Sequence, residues 1–145
     1  MAAWRTSSGP VLISDWHGDD LRQWYDLHGH DRAVTGPVSP VVRQAEACAA
    51  APTVEGTPMI TDFAGLFREV ERIRSRGFAT VDEEFEVGVV AASAPVHDFR
   101  GDIVAAINLS APTVRLGSHL DEVGALLARI AGELSTHLGG TPRGR

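Results

Sequence analysis

Three groups of side chains in this sequence have the residue types that catalysis or metal binding requires. They are Asp82-Glu83-Glu84, His17 with His28 and His30, and Ser118-His119 with Asp121. The acidic run could supply paired carboxylates for acid–base chemistry, but such a run at a helix–strand junction is more typical of solvated surface. No cysteine or well-spaced carboxylate completes a zinc site around the histidines. The serine–histidine–aspartate group is too close together at one helix start for triad geometry. We therefore expect no catalytic residue, no metal and no cofactor.

Two polar residues inside an apolar run indicate a different kind of site. Asn108 and Ser110 are two residues apart in the β-prone run Ile103–Leu109 and its continuation, so they point to the same face of a strand. An unpaired buried polar group costs roughly 1–3 kcal/mol. Either a ligand or neighbouring backbone must therefore satisfy this amide and this hydroxyl, and the sequence leaves both alternatives open.

Composition and charge narrow the class of protein. The 145 residues carry a formal net charge of −6 and contain 13 arginines but no lysine. DNA-binding domains normally have a basic face, so we expect that this chain alone does not bind nucleic acid. The single cysteine, Cys48, excludes an internal disulfide. No leader pattern opens the chain and no apolar run approaches ~18 residues, so the expectation is a cytoplasmic protein with no membrane partner.

Helical spacing of apolar residues predicts three helices. The first spans residues 19–27, and the second follows a cap at Thr61 or Asp62 and ends at Gly77. Ser118 is expected to cap the third, with acidic residues in its first turn. The apolar face of the second helix is predicted to be Leu66, Phe67, Val70 and Ile73. That of the third is predicted to be Leu120, Val123, Leu127, Ile130, Leu134 and Leu138.

Two β-prone runs lie between the last two helices. Residues 85–96 are nearly all apolar or small after the first few positions, which is typical of a strand covered on both faces, and residues 103–109 form the second run. The polar break at 98–102 predicts a hairpin loop. This order of elements predicts an α+β fold, with helices packed on an antiparallel sheet and a long C-terminal helix.

The remaining segments are harder to interpret. Residues 30–56 form an irregular excursion between proline- and glycine-rich breaks, in which 41–51 is either a short helix or mobile. Residues 141–145 are expected to be a disordered tail. We therefore expect a single domain over residues 1–140.

Five short stretches, in order, resemble the effector-binding domain of IclR-type transcriptional regulators. The last 60% of the chain, about residues 57–138, carries most of the resemblance, and the first sixteen residues carry a weaker part. The stretches are Ser8-Gly9-Pro10-Val11-Leu12-Ile13, Thr57-Pro58-Met59-Ile60-Thr61-Asp62, Arg74–Ala79 with Asp82–Glu84 and Gly88, Ala91–Val96 with Asp98 and Gly101, and Ile103–Ser110 with Ala111-Pro112 and the terminal helix.

The resemblance implies a GAF-like domain that binds a small organic or aromatic acid. In that family a separate winged helix–turn–helix binds DNA, and this chain is expected to lack it together with the first strands of the sensing domain. A small organic effector and a homo-oligomeric partner are implied, and DNA is reached only through the absent winged helix.

The resemblance also places an effector site on particular residues. The glycine turn would be Ser7, Ser8 and Gly9, whose backbone and side chains would face the acidic end of the ligand. The strand positions would be Val81, Val89, Ala91, Asn108 and Ser110. The family often has an acidic residue where this chain has Val81 and a cysteine where it has Ala91. The loss of these polar groups favours a more apolar ligand.

Two functions from different classes remain. The first is a ligand-sensing module that changes the geometry of an oligomer when its effector binds. The alternative is a non-sensing remnant that acts only as a dimerisation or interaction module.

Overall fold

Helices pack on both faces of a short β-sheet. A computed structural model describes residues 7–28, 60, 62–83 and 87–140. The elements are α1 (Ser8–Leu12), α2 (Gly18–His28), α3 (Phe63–Arg76), β1 (Ala79–Asp82), β2 (Val89–His97), β3 (Ile103–Pro112), α4 (Thr113–Leu116), a 3₁₀ turn (Gly117–His119) and α5 (Leu120–His137). The excursion predicted at 30–56 and the tail predicted at 141–145 lie outside the described residues. The architecture confirms the α+β prediction and the long C-terminal helix.

The three strands form an antiparallel sheet in the order β1-β2-β3. Ala79 of β1 lies opposite Ser93 of β2, which in turn lies opposite Asn108 of β3. Because directly opposite residues in a sheet point to the same face, these three side chains share one face. β2 begins at Val89, later than the run predicted from residue 85, because Val87 and Gly88 lie in a turn.

The predicted hairpin loop joins β2 to β3 and is held by one carboxylate. Asp98 accepts hydrogen bonds at Oδ1 from the backbone N–H groups of Arg100 (2.8 Å) and Asp102 (3.1 Å). Gly101 adopts a left-handed φ of 85°, a conformation that glycine takes without steric cost. The aspartate and the glycine together fix the tight reversal that the sequence predicted.

One face of the sheet is covered by α5. Val90, Ala92, Ala94 and Val96 of β2 pack with Phe78 and with the buried side of the helix, which consists of Leu120, Leu127 and Ala131. The alternation of these β2 residues is the period of a strand with one face turned to this core. The main apolar core therefore lies between β2 and α5.

The other face is covered by α1 and α3. Val11 of α1 packs with Ile73 of α3 and Ala79 of β1, while Ala106 of β3 lies against this cluster. A further cluster joins α2 to α3 through Leu21, Tyr25 and Leu66. Burial of β2 by α5 on one face and by these helices on the other agrees with the nearly continuous apolar character of its sequence.

The ends of α3 follow the predicted capping rules. The Asp62 side chain accepts a hydrogen bond from the backbone N–H of Gly65 at 2.7 Å. Gly77 ends the helix with a φ of 80°, and its N–H donates to the carbonyl of Ile73. Leu66, Val70 and Ile73 are buried as predicted, whereas Phe67 is 38% exposed. These three apolar residues therefore form the buried face of the helix.

The start of α5 corrects the sequence prediction. Ser118 does not cap the helix, because residues 117–119 form a 3₁₀ turn and α5 begins at Leu120 without a side-chain cap. A tighter 3₁₀ turn satisfies terminal backbone groups by itself, which makes a serine cap unnecessary.

The packing face of α5 also differs from the predicted stripe. Ile130, Leu134 and Leu138 are 36%, 45% and 52% exposed, so they are not core positions among the described residues. The positions that pack beneath the helix include the small residues Gly124 and Ala131. Leu120 and Leu127 of the predicted stripe are buried, and Val123 packs against the same core, so only the last three predicted positions turn away from it.

The close approach at Gly124 generates a stability prediction. A Cβ at this position would lie 2.2 Å from Phe78 Cδ2, whereas a Cβ at Gly132 in the same helix would meet nothing within 4 Å. Gly124→Ala should lower the free energy of unfolding by about 1–3 kcal/mol, the usual cost of overpacking, partly offset by better helix propensity.

Gly132→Ala is the matched control and should raise the free energy of unfolding by about 0.5–1 kcal/mol. Urea unfolding followed by circular dichroism measures both variants. Equal effects of the two substitutions would show that α5 does not pack on Phe78 through Gly124.

Candidate functional site

The start of α1 contacts the middle of the sheet through a hydroxyl-rich cluster. The Ser93 hydroxyl on β2 donates to the Ser7 hydroxyl at 2.9 Å, and the Ser8 and Ser93 hydroxyl oxygens are 3.1 Å apart. Asn108 Nδ2 on β3 donates to Ser7 at 2.9 Å and to Ser93 at 2.8 Å. Ser110 donates to Asn108 Oδ1 at 3.1 Å. We call these five residues the serine–asparagine cluster.

The cluster brings together residues that are far apart in sequence. Ser7 and Ser8 were predicted from the resemblance, as were Asn108 and Ser110. Ser7, Ser8 and Asn108 contact one oxygen, and Ser110 joins them through Asn108. That oxygen belongs to Ser93, which was not among the predicted site residues. The signal was present, since Ser93 lies two residues after Ala91 and therefore shares its face of the strand.

The predicted apolar positions form the next row of the same face. Val81 lies opposite Ala91, which lies opposite Ser110, so all three cross the sheet in line. Val89 lies one further step along β2 and opposite Pro112. Val81, Val89 and Ala91 are half-buried. The structure therefore places every predicted strand position on the face that carries Ser93, and Gly9 lies in the first turn of α1.

Burial within the cluster is graded from the centre of the sheet to its edge. Ser93 is fully buried and Ser7 is 5% exposed. Ser8 is half-buried, while Asn108 and Ser110 on β3 are exposed. The cluster therefore has a closed end beneath α1 and an open end along β3.

One hydroxyl proton of the cluster has no acceptor among the five cluster residues. The hydroxyls of Ser7, Ser8 and Ser93 carry one proton each. Only two contacts join these hydroxyls to one another, and each contact uses one proton. Whichever way the hydroxyls rotate, one proton is left without an acceptor inside the cluster. All five side chains are neutral, so the cluster offers a hydrogen-bond donor without a formal charge.

The side chains first considered for catalysis take other partners. His119 Nδ1 lies 3.1 Å from Glu122 Oε2, and Asp121 pairs with Arg76 rather than with Ser118. Asp82 is exposed, whereas Glu84 and His30 lie outside the described residues. Within the described ranges no three His, Cys, Asp or Glu residues are arranged to hold a metal ion.

A cavity of about 580 Å³ lies at the far end of β2 from the row of Val81. β1 pairs with β2 only as far as Ser93. The cavity lies beyond this point, beside the last residues of β2 and between α3 and α5. Asp15, Arg74 and His97 line it, and the backbone N–H of His97 donates to the Ser135 hydroxyl at 2.9 Å. None of the predicted ligand-binding residues lines this cavity. It is therefore separate from the serine–asparagine cluster.

Among the helices that the structure describes, none is both long and apolar enough to cross a membrane.

Comparison with known proteins identifies a family. The family described as "Bacterial transcriptional regulator IclR C-terminal" matches residues 41–136, which is more than half of the chain. The DNA-binding transcriptional repressor YiaJ of Escherichia coli is 27% identical over 145 residues, 99% of this chain and 44% of that protein. The HTH-type transcriptional regulator BhcR of Paracoccus denitrificans is 35% identical over 77 residues, 52% of this chain and 28% of that protein.

A solved structure with a bound ligand is also similar. The inducer-binding domain of the Acinetobacter transcription factor PobR, a double mutant in complex with 3-hydroxybenzoic acid, superimposes with a TM-score of 0.65 at 27% identity. The match covers 92% of this chain and 66% of that domain. The chain spans less than half the length of the two curated relatives.

These relatives are named as transcriptional regulators and not as enzymes. The match over residues 41–136 and the shared fold both point to the effector-binding portion of such regulators. The resemblance stated from the sequence is confirmed: this chain belongs to the IclR family of bacterial transcriptional regulators and corresponds to its C-terminal, effector-binding domain.

Proposed function

We propose that this chain senses a small organic molecule at the serine–asparagine cluster. The observation that supports the proposal most strongly is the meeting of α1 with β2 and β3 around the buried Ser93 hydroxyl. One hydroxyl proton there has no acceptor among the five cluster residues. A ligand that lies on this face would contact the turn at Ser7–Gly9 and the exposed Asn108 and Ser110. Convergence of a few polar groups on a largely apolar surface is typical of small-molecule sites.

The ligand class that best fits this face is a small organic or aromatic acid with a substantial apolar part. The unused proton favours an acceptor oxygen such as that of a carboxylate. The row of Val81, Val89 and Ala91 offers apolar contact and no hydrogen bond. The PobR inducer-binding domain, which is similar in fold, is known in complex with 3-hydroxybenzoic acid, and this is consistent with the proposed class.

Ligand binding would act on transcription through an oligomer. A ligand changes an equilibrium only by its difference in affinity between two states. In our proposal those states are two arrangements of copies of this domain, and a winged helix–turn–helix outside this chain carries the DNA contacts. The whole regulator would then read the ligand as a change in the spacing of its DNA-binding domains.

One observation favours a second candidate, an interaction module without an effector. Asn108 already uses both Nδ2 protons and accepts from Ser110 through Oδ1. A cluster whose members mostly satisfy one another can hold α1 on the sheet without a ligand. In that case the domain would serve only assembly.

A thermal-shift screen separates the two candidates. Binding to the folded state alone stabilises it by about 2.7 kcal/mol when the ligand is at a hundredfold excess over its Kd. For a chain of this size we expect the Tm to rise by several degrees with at least one small carboxylic or aromatic acid. Absence of any shift across such acids at millimolar concentration would support the interaction module instead.

Removal of one hydroxyl at the open end tests the location of the site. Ser110→Ala should weaken binding of the acid found in the screen by about 2–10-fold, because one hydrogen bond contributes about 0.5–1.5 kcal/mol. The Tm without ligand should change little, since Ser110 is exposed.

Ser118→Ala is the matched control, because Ser118 is an exposed serine in the 3₁₀ turn and outside the cluster. Isothermal titration calorimetry gives the Kd of each variant. Equal affinity of Ser110→Ala and the unsubstituted chain would place the ligand elsewhere.

A further inference from the structure

The cavity beyond the end of β1 has the dimensions of a small-molecule site. Its volume of about 580 Å³ lies within the range of roughly 300–1,000 Å³ that is usual for such sites. α3 and α5 approach each other at its edge, since a Cβ built on Gly77 would lie 3.7 Å from the Cβ of Ala128. The cavity therefore lies on the side of β2 where β1 pairs, which is the side away from the outer edge of β3.

A carboxylate beside this cavity has an oxygen without a partner. Asp15 follows α1 in the chain, and its Oδ2 accepts a hydrogen bond from the backbone N–H of Ile103 at 2.9 Å. Its other oxygen, Oδ1, is buried, and no group among the described residues donates to it. A buried acceptor without a donor destabilises the folded state, and more so when it carries a charge. A donor brought by a ligand would remove this cost.

The other polar side chains of the lining already have acceptors within the chain. Ser14 and Ser135 each donate the hydroxyl proton to a backbone carbonyl three or four residues earlier. Arg74 donates through Nε to the carbonyl of Ser14 and through Nη2 to the carbonyl of Trp16. These groups therefore offer few donors to an anion that enters the cavity.

The formal charges around the cavity do not balance. Arg74 forms an ion pair with Glu71 through Nη1, so its charge is already matched on α3. It contacts the carbonyls on either side of Asp15 but not the carboxylate. None of the ion pairs within residues 7–28, 62–83 and 87–140 includes Asp15. With His17 and His97 counted as neutral, the lining keeps one unmatched negative charge.

We propose that this cavity binds a small organic amine in its ammonium form. An ammonium group has only donors and no acceptor, which suits a lining with one unpaired acceptor and few free donors. It would donate a charge-assisted hydrogen bond to Asp15 and match its charge. The apolar part of the ligand would lie against Ile73, Pro95 and Ile103. This site is separate from the serine–asparagine cluster and takes a ligand of the opposite charge.

A rotation of the Asp15 carboxylate makes the contact with the ammonium accessible. Oδ1 has almost no exposed surface, whereas Asp15 as a whole is half-buried and lines the cavity. The last torsion angle of an aspartate side chain varies broadly, so the carboxylate can turn Oδ1 towards the cavity. The backbone N–H of Ile103 can keep the same carboxylate as its acceptor. The ligand would then bind without loss of the contact between Asp15 and β3.

Gly132 offers a way to fill the cavity from the side of α5. It lines the cavity, and a Cβ built on it would meet nothing within 4 Å. A larger side chain at this position would therefore occupy space that the ligand needs, without a clash at its first carbon. Leucine is also a better helix former than glycine, so the helix would not be weakened.

Isothermal titration calorimetry of the full chain with three matched probes tests the ligand class. Benzylamine, benzyl alcohol and benzoate share one ring and differ in the charge of the polar group. We expect benzylamine to bind with a Kd of about 1 mM or lower and at least about tenfold more tightly than benzyl alcohol, because only the amine makes a charged hydrogen bond. Equal affinity for the amine and the alcohol would overturn the proposal, as would the absence of amine binding at millimolar concentration.

Asp15→Asn tests the role of the carboxylate. The amide oxygen can still accept from the backbone N–H of Ile103, but the charge is removed, so the Kd for benzylamine should rise at least about tenfold. Asp26→Asn is the matched control, because Asp26 is an exposed aspartate on α2 and does not line the cavity. Equal effects of the two substitutions would show general electrostatic attraction and overturn the assignment to Asp15. Circular dichroism checks that each variant is folded.

Gly132→Leu tests the location without touching the carboxylate. It should abolish measurable benzylamine binding, whereas Gly132→Ala should change the Kd much less. Both Asp15→Asn and Gly132→Leu should leave the Kd of the acid found in the thermal-shift screen unchanged, since neither residue belongs to the serine–asparagine cluster. Unchanged benzylamine affinity in Gly132→Leu would place the amine elsewhere. Loss of benzoate binding in both variants, with benzylamine unaffected, would show that the cavity takes an acid and would overturn the proposal.

Discussion

The domain depends on one buried hydroxyl at the centre of its sheet. Ser93 lies in the middle strand with no exposed surface, where an unsatisfied hydroxyl would cost about 1–3 kcal/mol. Its partners come from α1, through Ser7 and Ser8, and from β3, through Asn108. These hydrogen bonds join the start of α1 and the strand β3 to the middle of the sheet. They bring together the polar residues of the proposed ligand site.

The sequence predicted the elements that local rules determine. The cap at Asp62, the left-handed Gly77 and the loop built on Asp98 each depend on residues within a few positions, and all were confirmed. The sheet face of Asn108 followed from a period of two and was confirmed in the register with β2. The role of Ser93 was missed, because its partners are about 15 and 86 positions away along the chain.

The helix α5 shows why its packing face could not be read from hydrophobicity alone. A count of large apolar residues selects Ile130 and Leu134, which are partly exposed. The face that packs closely uses Gly124, since the Phe78 ring occupies the space that a Cβ would need. The first half of the predicted stripe, which includes Leu127, is buried, and only its last residues turn away from the sheet. A pattern can therefore indicate an amphipathic helix correctly and still extend its buried face too far along the helix.

The strand β3 contributes to both the structure and the proposed site through one side chain. Asn108 is exposed, yet its Nδ2 donates to Ser7 and to the buried Ser93. In the proposed function, a ligand that took one of these hydrogen bonds would compete directly with the contact between the start of α1 and the sheet. A ligand changes an equilibrium only by its difference in affinity between two states, and two arrangements of this contact would provide such states. Coupling of this kind needs no pathway through the core, because the ligand would meet the side chain that joins α1 to β3.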